Sequence, residues 1–211
     1  VAGFEAAGAA LRAAGADESA AQVTRNLAAV RFDRGDYRGA LRDYEALLAR
    51  LPPTPSDVRA SVLQNLAAAA AATGQAERAL AAYRESLDIG TALGDLDVTA
   101  RALAGLGVNH GRLGHQDLAL TYLRDAVAQR RRQGRPDALA QALALLGNAQ
   151  LQAGEPRLAG ASHREAIALL GPGAAPTLRA RIELALAQDE LAARDHARAI
   201  ETASAALARL P

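Results

Sequence analysis

The residues that could carry chemistry are few. The imidazoles are His110, His115, His163 and His196. His110 and His115 lie five apart across a turn, and no His-Glu-x-x-His pair stands on one helical face, so a metal site is not expected. These histidines read as solvent-facing or groove-edge side chains. Ser162 sits in Gly160-Ala161-Ser162-His163, which lacks the Gly-x-Ser-x-Gly elbow and falls in mid-helix. Asp189 and Glu190 are adjacent, so on a helix they point different ways and cannot share a proton. Gly105-Leu106-Gly107-Val108-Asn109-His110-Gly111 comes near a dinucleotide fingerprint, but its third glycine is one place late and no strand precedes it. Close helix packing is the expected use of these glycines, with a soft hinge as the alternative. Arg130, Arg131, Arg132 and Arg135 end a helical segment, where cations complement the helix dipole; they read as a solvated helix end, with a site for phosphate or an acidic partner as the alternative. There is no Walker loop. No catalytic constellation, metal site or cofactor is expected.

Composition narrows the classes further. The 211 residues are 50% hydrophobic but only 3% aromatic, with no Cys, Met or Trp. Disulfides, thiolate metal sites and Cys nucleophiles are therefore excluded. The formal net charge of +1 does not suit a dedicated nucleic-acid binder. Charged residues interrupt every long apolar run, so neither a membrane span nor a signal peptide is expected, and a cytoplasmic location is. The missing Met suggests a piece of a longer chain. Ala supplies roughly a quarter of the residues, far above average usage. Ala and Leu are the strongest helix formers, so the chain reads as all-α.

A repeat positions these elements. Gly35, Gly74, Gly114, Gly154 and Arg194 mark turns at steps of 39, 40, 40 and 40 residues. Five residues beyond each comes an alanine: Ala40, Ala79, Ala119, Ala159 and Ala199. Eight before each stands a leucine (Leu27, Leu66, Leu106, Leu146, Leu186), always followed by Ala or Gly. Thirteen after each stands Leu48, Leu87, Val127, Ile167 or Leu207. These offsets predict two helices per repeat joined by a tight turn. First helices are expected near 18–34, 56–73, 96–113, 137–153 and 175–193, and second helices near 37–51, 76–93, 116–133, 156–170 and 196–210. Residues 1–14 occupy the register of a leading unpaired helix. The expected divisions are 1–16, 17–53, 54–94, 95–134, 135–173 and 174–211, within one array of about eleven antiparallel helices. One pair cannot bury its apolar face alone, so pairs must stack.

This Leu–small–Gly–Ala signature resembles the tetratricopeptide repeat over essentially the whole chain. Ordinary members repeat every ~34 residues; the longer step here is similar to the variant in bacterial regulators, CHAT-associated arrays and cell-polarity adaptors. The family's aromatic four places after the turn alanine survives only as Tyr44 and Tyr83, with Leu123, His163 and Ala203 later, so looser later repeats are expected. The resemblance implies a right-handed α–α superhelix whose first helices line a concave groove for a peptide or helix. The implied groove residues are Arg25, Asn26, Gln64, Asn65, Arg101, Val108, Asn148, Arg181 and Gln188. Some members clamp acidic C-termini. Arg25, Asn65 and Arg101 fall on such positions, while Ala29 and Gly105 occupy others and cannot donate from a side chain. The function implied is a non-catalytic interaction scaffold in a larger bacterial regulatory protein, with a protein or peptide partner and neither nucleic acid nor membrane. Alternatives are the regulatory part of a CHAT-type caspase-like peptidase and an array that self-associates through helix 1–14.

Overall fold

The computed structural model describes residues 17–171 and 176–209, together with Gly3, Ala6 and Ala10. The leading helix expected at 1–14 thus lies outside the described residues. Ten helices are described: α1 Asp17–Asp33, α2 Tyr37–Leu48, α3 Asp57–Ala72, α4 Ala76–Leu93, α5 Leu96–Arg112, α6 Gln116–Gln133, α7 Pro136–Gln152, α8 Pro156–Leu169, α9 Pro176–Ala192 and α10 His196–Leu207. They form antiparallel pairs joined by the tight turns that the glycine spacing marks. Two compact units result, Val1–Asn109 and His110–Pro211, and their division falls within α5. Inside each unit, neighbours in sequence pack as neighbours in space.

The turns close through the backbone. Gly35, Gly74, Gly114 and Gly154 take φ between 78° and 82°, and Arg194 holds the same left-handed conformation at 66°. In each turn the next N–H reaches back five residues: Asp36 to Arg31, Gln75 to Ala70, His115 to His110, Glu155 to Gln150 and Asp195 to Glu190, at 2.8–2.9 Å. This is the hydrogen bond that ends a helix on a left-handed residue. Helix starts are capped where the sequence offers an acceptor. Asp36 Oδ1 accepts from the Gly39 N–H at 2.9 Å and Ser56 Oγ from the Arg59 N–H at 3.2 Å. Pro136 and Pro156 begin α7 and α8, where a missing N–H costs nothing.

The core is aliphatic. Ala40, Ala79, Ala119, Ala159 and Ala199 are all buried, as are Leu27, Leu66, Leu106, Leu146 and Leu186. The alanines let paired helices approach closely, and the leucines fill the space between neighbouring helices. Losing such a leucine to alanine typically costs ~2–5 kcal/mol. Of the third marker, Val127 is buried, Leu48, Leu87 and Ile167 are half-buried and Leu207 is exposed.

Two polar expectations are corrected. His163 and His110 are buried, not solvent-facing, whereas His115 and His196 are exposed. Arg130 is also buried, its guanidinium donating to Gln133 Oε1 at 2.7 Å, so it does not belong to a solvated helix end. His163 lies inside because α9 supplies Asp189 as its partner, while Arg130 finds Gln133 on its own helix.

Of the glycines in α5, Gly105 serves close packing, as expected. The Tyr83 ring lies directly over Gly105, where a Cβ would collide with it.

Candidate functional site

The residues expected to line a groove are, Gln64 apart, exposed or half-buried on the first helices. On α1, Gln22 and Asn26 are exposed, and the Gln22 amide donates to Asn26 Oδ1 at 3.1 Å. Arg25 is half-buried beside them. On α3, Asn65 and Ala68 are half-buried. On α5, Arg101 is exposed and paired with Asp97 at 3.0 Å, while Val108 is half-buried. In the second unit Gln141 and Asn148 on α7, and Arg181 and Gln188 on α9, are exposed.

Gln64 behaves differently. It is buried, and its amide donates to Ser86 Oγ at 2.9 Å and to the Val98 carbonyl at 3.0 Å. Ser86 in turn donates to the Ala60 carbonyl at 3.2 Å. Gln64 therefore fastens α3 to α4 and to the start of α5. No donor remains on that side for a ligand.

In the first unit a cavity of about 670 Å³ opens between α1, the end of α2 and the start of α3. Leu47, Leu51, Pro52, Ala21 and Val58 supply apolar wall, with Gln22, Arg25, Arg50 and Ser56 as the polar lining. Near it, burial pushes the Tyr44 phenol above its ordinary value of 10.0; Asp33 and Asp43 add to that rise and Arg25 opposes it.

In the second unit a cavity of about 280 Å³ gathers Asn148, Arg181 and Gln188 with Ala144, Ile182, Leu184, Ala185 and His163. Three of the groove residues read from the sequence thus converge on one concavity between α7 and α9. Beneath it lies a pair that sequence reasoning missed. His163 and Asp189 are 0% and 1% exposed, with Nδ1 and Oδ2 2.5 Å apart. His163 Nε2 is 3.2 Å from the Ala144 carbonyl, an acceptor. The ring thus faces an acceptor at each nitrogen, the Ala144 carbonyl at Nε2 and the Asp189 carboxylate at Nδ1. Gly147 makes room for this ring, since a Cβ there would stand 2.7 Å from it. The available signal was position: His163 occupies the place of Tyr44 and Tyr83. The repeat there is consequently not loosely packed, as its missing aromatic suggested.

Neighbouring acids turn elsewhere. Glu190 accepts from the Thr202 hydroxyl at 2.8 Å, and Glu183 from Arg209 at 3.0 Å. Ser162 donates to Gln150 Oε1 at 2.7 Å and is engaged as a packing contact. Among the described residues no cluster of three or more His, Cys, Asp or Glu could hold a metal ion, and no helix is long and apolar enough to cross a membrane.

Paired helices on a left-handed turn, an alanine seam and open first-helix faces define the tetratricopeptide type of repeat fold. A family model described as the tetratricopeptide repeat matches residues 58–132. No curated protein matches the chain significantly. Among solved structures, BtubC (BKLC) from P. vanneervenii is similar at 21% identity and a TM-score of 0.83, over 99% of this chain and 88% of that one. The TPR-like repeats of a putative kinesin light chain from Podosopora anserina are similar at 17% identity and a TM-score of 0.73, over 89% and 93%. A Rap protein complexed with Competence and Sporulation Factor is similar at 16% identity and a TM-score of 0.77, over 90% of this chain and 54% of that one. At these identities the likeness is one of fold.

Proposed function

We propose that the open first-helix faces bind a peptide or helical segment of a protein partner, and that the chain is a non-catalytic interaction module. The observation that supports this most is the convergence of Asn148, Arg181 and Gln188 on the concavity between α7 and α9. Two primary amides can each donate to and accept from a peptide backbone, and a guanidinium can pair with a carboxylate. Small neighbours, Ala144 and Ala185, leave room for the ligand. Gln64 takes no part in this reading, because its amide is committed within the core. The finer reading places the module in a larger bacterial regulatory protein. The Rap protein's complex with Competence and Sporulation Factor supports such a use of the fold.

The test is selection of displayed random dodecapeptides on the full chain, followed by calorimetry with the synthetic peptides. Peptides held by α7 and α9 are expected to lose affinity at least about fivefold on Arg181→Ala or Asn148→Ala, the loss of roughly one hydrogen bond to a charged or amide group. Failure to enrich any peptide defeats the reading. So does binding that no first-helix substitution weakens.

A further inference from the structure

The cavity of the first unit is an unclosed copy of a junction that is shut one repeat later. In register, Arg25 corresponds to Gln64, Leu47 to Ser86, Leu51 to Gly90 and Val58 to Val98. In the later junction Gln64 bridges Ser86 and the Val98 carbonyl. Gly90 allows the start of α5 to press against α4; a Cβ there would stand 2.7 Å from Val98 Cγ1 and 2.9 Å from the Thr99 N. In the earlier junction Leu51 stands where that approach needs glycine, and Pro52, Pro53 and Pro55 follow it. Leu47 stands where the later junction has Ser86, and a cavity of about 670 Å³ remains.

Its chemistry is asymmetric. Among the described residues the walls are Leu47, Leu51, Pro52, Ala21 and Val58, the cations are Arg25 and Arg50, and no Asp or Glu lines it. Among the described residues no carboxylate forms a salt bridge with Arg25. Val58 is 48% exposed at the mouth, an apolar side chain that leaves water when a ligand covers it. The volume lies in the range of sites that enclose a compact group, roughly 300–1,000 Å³.

We propose that this cavity anchors a bound peptide through a large apolar side chain next to an internal Asp or Glu, whose carboxylate pairs with Arg25. The proposal rests on the peptide-binding reading above and assigns the first unit a ligand chemistry that α7 and α9 do not share. The occupant is acidic because the lining is cationic, and apolar because the floor is.

The test uses the full chain and a ten-residue probe of Gly, Ser and Ala around a central Glu-Leu pair, blocked at both ends. Probes with Gln-Leu and Glu-Ala centres are the controls. Amide chemical shifts are expected to move at Ala21, Leu47 and Val58 with the Glu-Leu probe. Either control should weaken binding at least about fivefold, through a lost charge-assisted pair or lost apolar burial. Arg25→Gln should weaken the Glu-Leu probe equally. Val58→Asp, which places a favourable acid in the first turn of α3, should repel the probe while leaving the fold intact. Equal binding of the three probes, shifts confined elsewhere, or no binding overturns the proposal. So does a concentration-dependent gain in mass that Val58→Asp abolishes, since a second copy would then be the occupant. Selected peptides that respond to Arg181→Ala but not to Arg25→Gln would leave the α7–α9 reading standing while this one fails.

Discussion

His163 and Asp189 form the most consequential contact at the scale of single residues. Both are withdrawn from water, so each depends on the other for a hydrogen bond. Removing one partner of a buried pair typically costs ~3–5 kcal/mol, because the survivor is left stranded. His163→Ala and Asp189→Ala should each destabilise by about that amount in denaturant unfolding. Their double substitution should cost clearly less than the sum. Tyr44 yields a pH prediction. Its folded phenol holds its proton above the ordinary value of 10.0, so the unfolded chain loses that proton first. The Tyr44 contribution is therefore fully present below pH 10.0 and is lost as pH rises through the folded value. Tyrosinate absorbance and unfolding followed together from pH 9 to 12 would check it, and Tyr44→Phe should reduce the alkaline loss. The burial of His163 and of Gln64 was not legible from residue type, since histidine and glutamine read as surface groups until their partners are known. Position in the repeat did carry part of the signal, because His163 stands where Tyr44 and Tyr83 stand.

For helices and turns, the sequence reading was close. The expected helix at 76–93 coincides with α4, and that at 116–133 with α6. The expected second helices 37–51 and 196–210 ran past the ends of α2 at Leu48 and α10 at Leu207. Glycine, alanine and leucine at fixed offsets are local signals, and local signals locate turns well. The cavity between α1 and α3 was not legible, because it depends on Leu51 replacing a small residue at a contact between different helices. Arg194 supports a prediction here. A residue with a Cβ in the left-handed region carries strain of about 1–2 kcal/mol, against the smaller backbone-entropy cost of glycine. Arg194→Gly should therefore raise stability by up to about 1 kcal/mol, read as a higher denaturant midpoint with an unchanged slope. Gly105→Ala should do the reverse. Its new methyl meets the Tyr83 ring, and overpacking of this kind costs ~1–3 kcal/mol. Unchanged stability of Gly105→Ala would show that Tyr83 moves aside freely.

Taken whole, the chain is held by contacts between successive helices within each unit. Repeat architectures of this kind have stabilities that approach a sum over units and their nearest interfaces. Local opening should follow the same pattern. In hydrogen exchange, His163→Ala should release the amides of α7, α8 and α9 well before those of α2 and α3. A uniform loss of protection along the chain would instead indicate one indivisible cooperative block. The charge balance bears on this scale as well. With 24 basic and 23 acidic residues, specific recognition must come from where single guanidinium groups are placed.

The turns have an engineering consequence. Each is fastened by main-chain N–H groups reaching main-chain carbonyls, so this fastening does not depend on the side chains at either end. Arg31, Ala70, His110, Gln150 and Glu190 all supply such a carbonyl equally well. A helix pair could therefore be duplicated, deleted or transplanted as a cassette with its hinges intact, leaving only the two faces of the graft to be matched to their new neighbours.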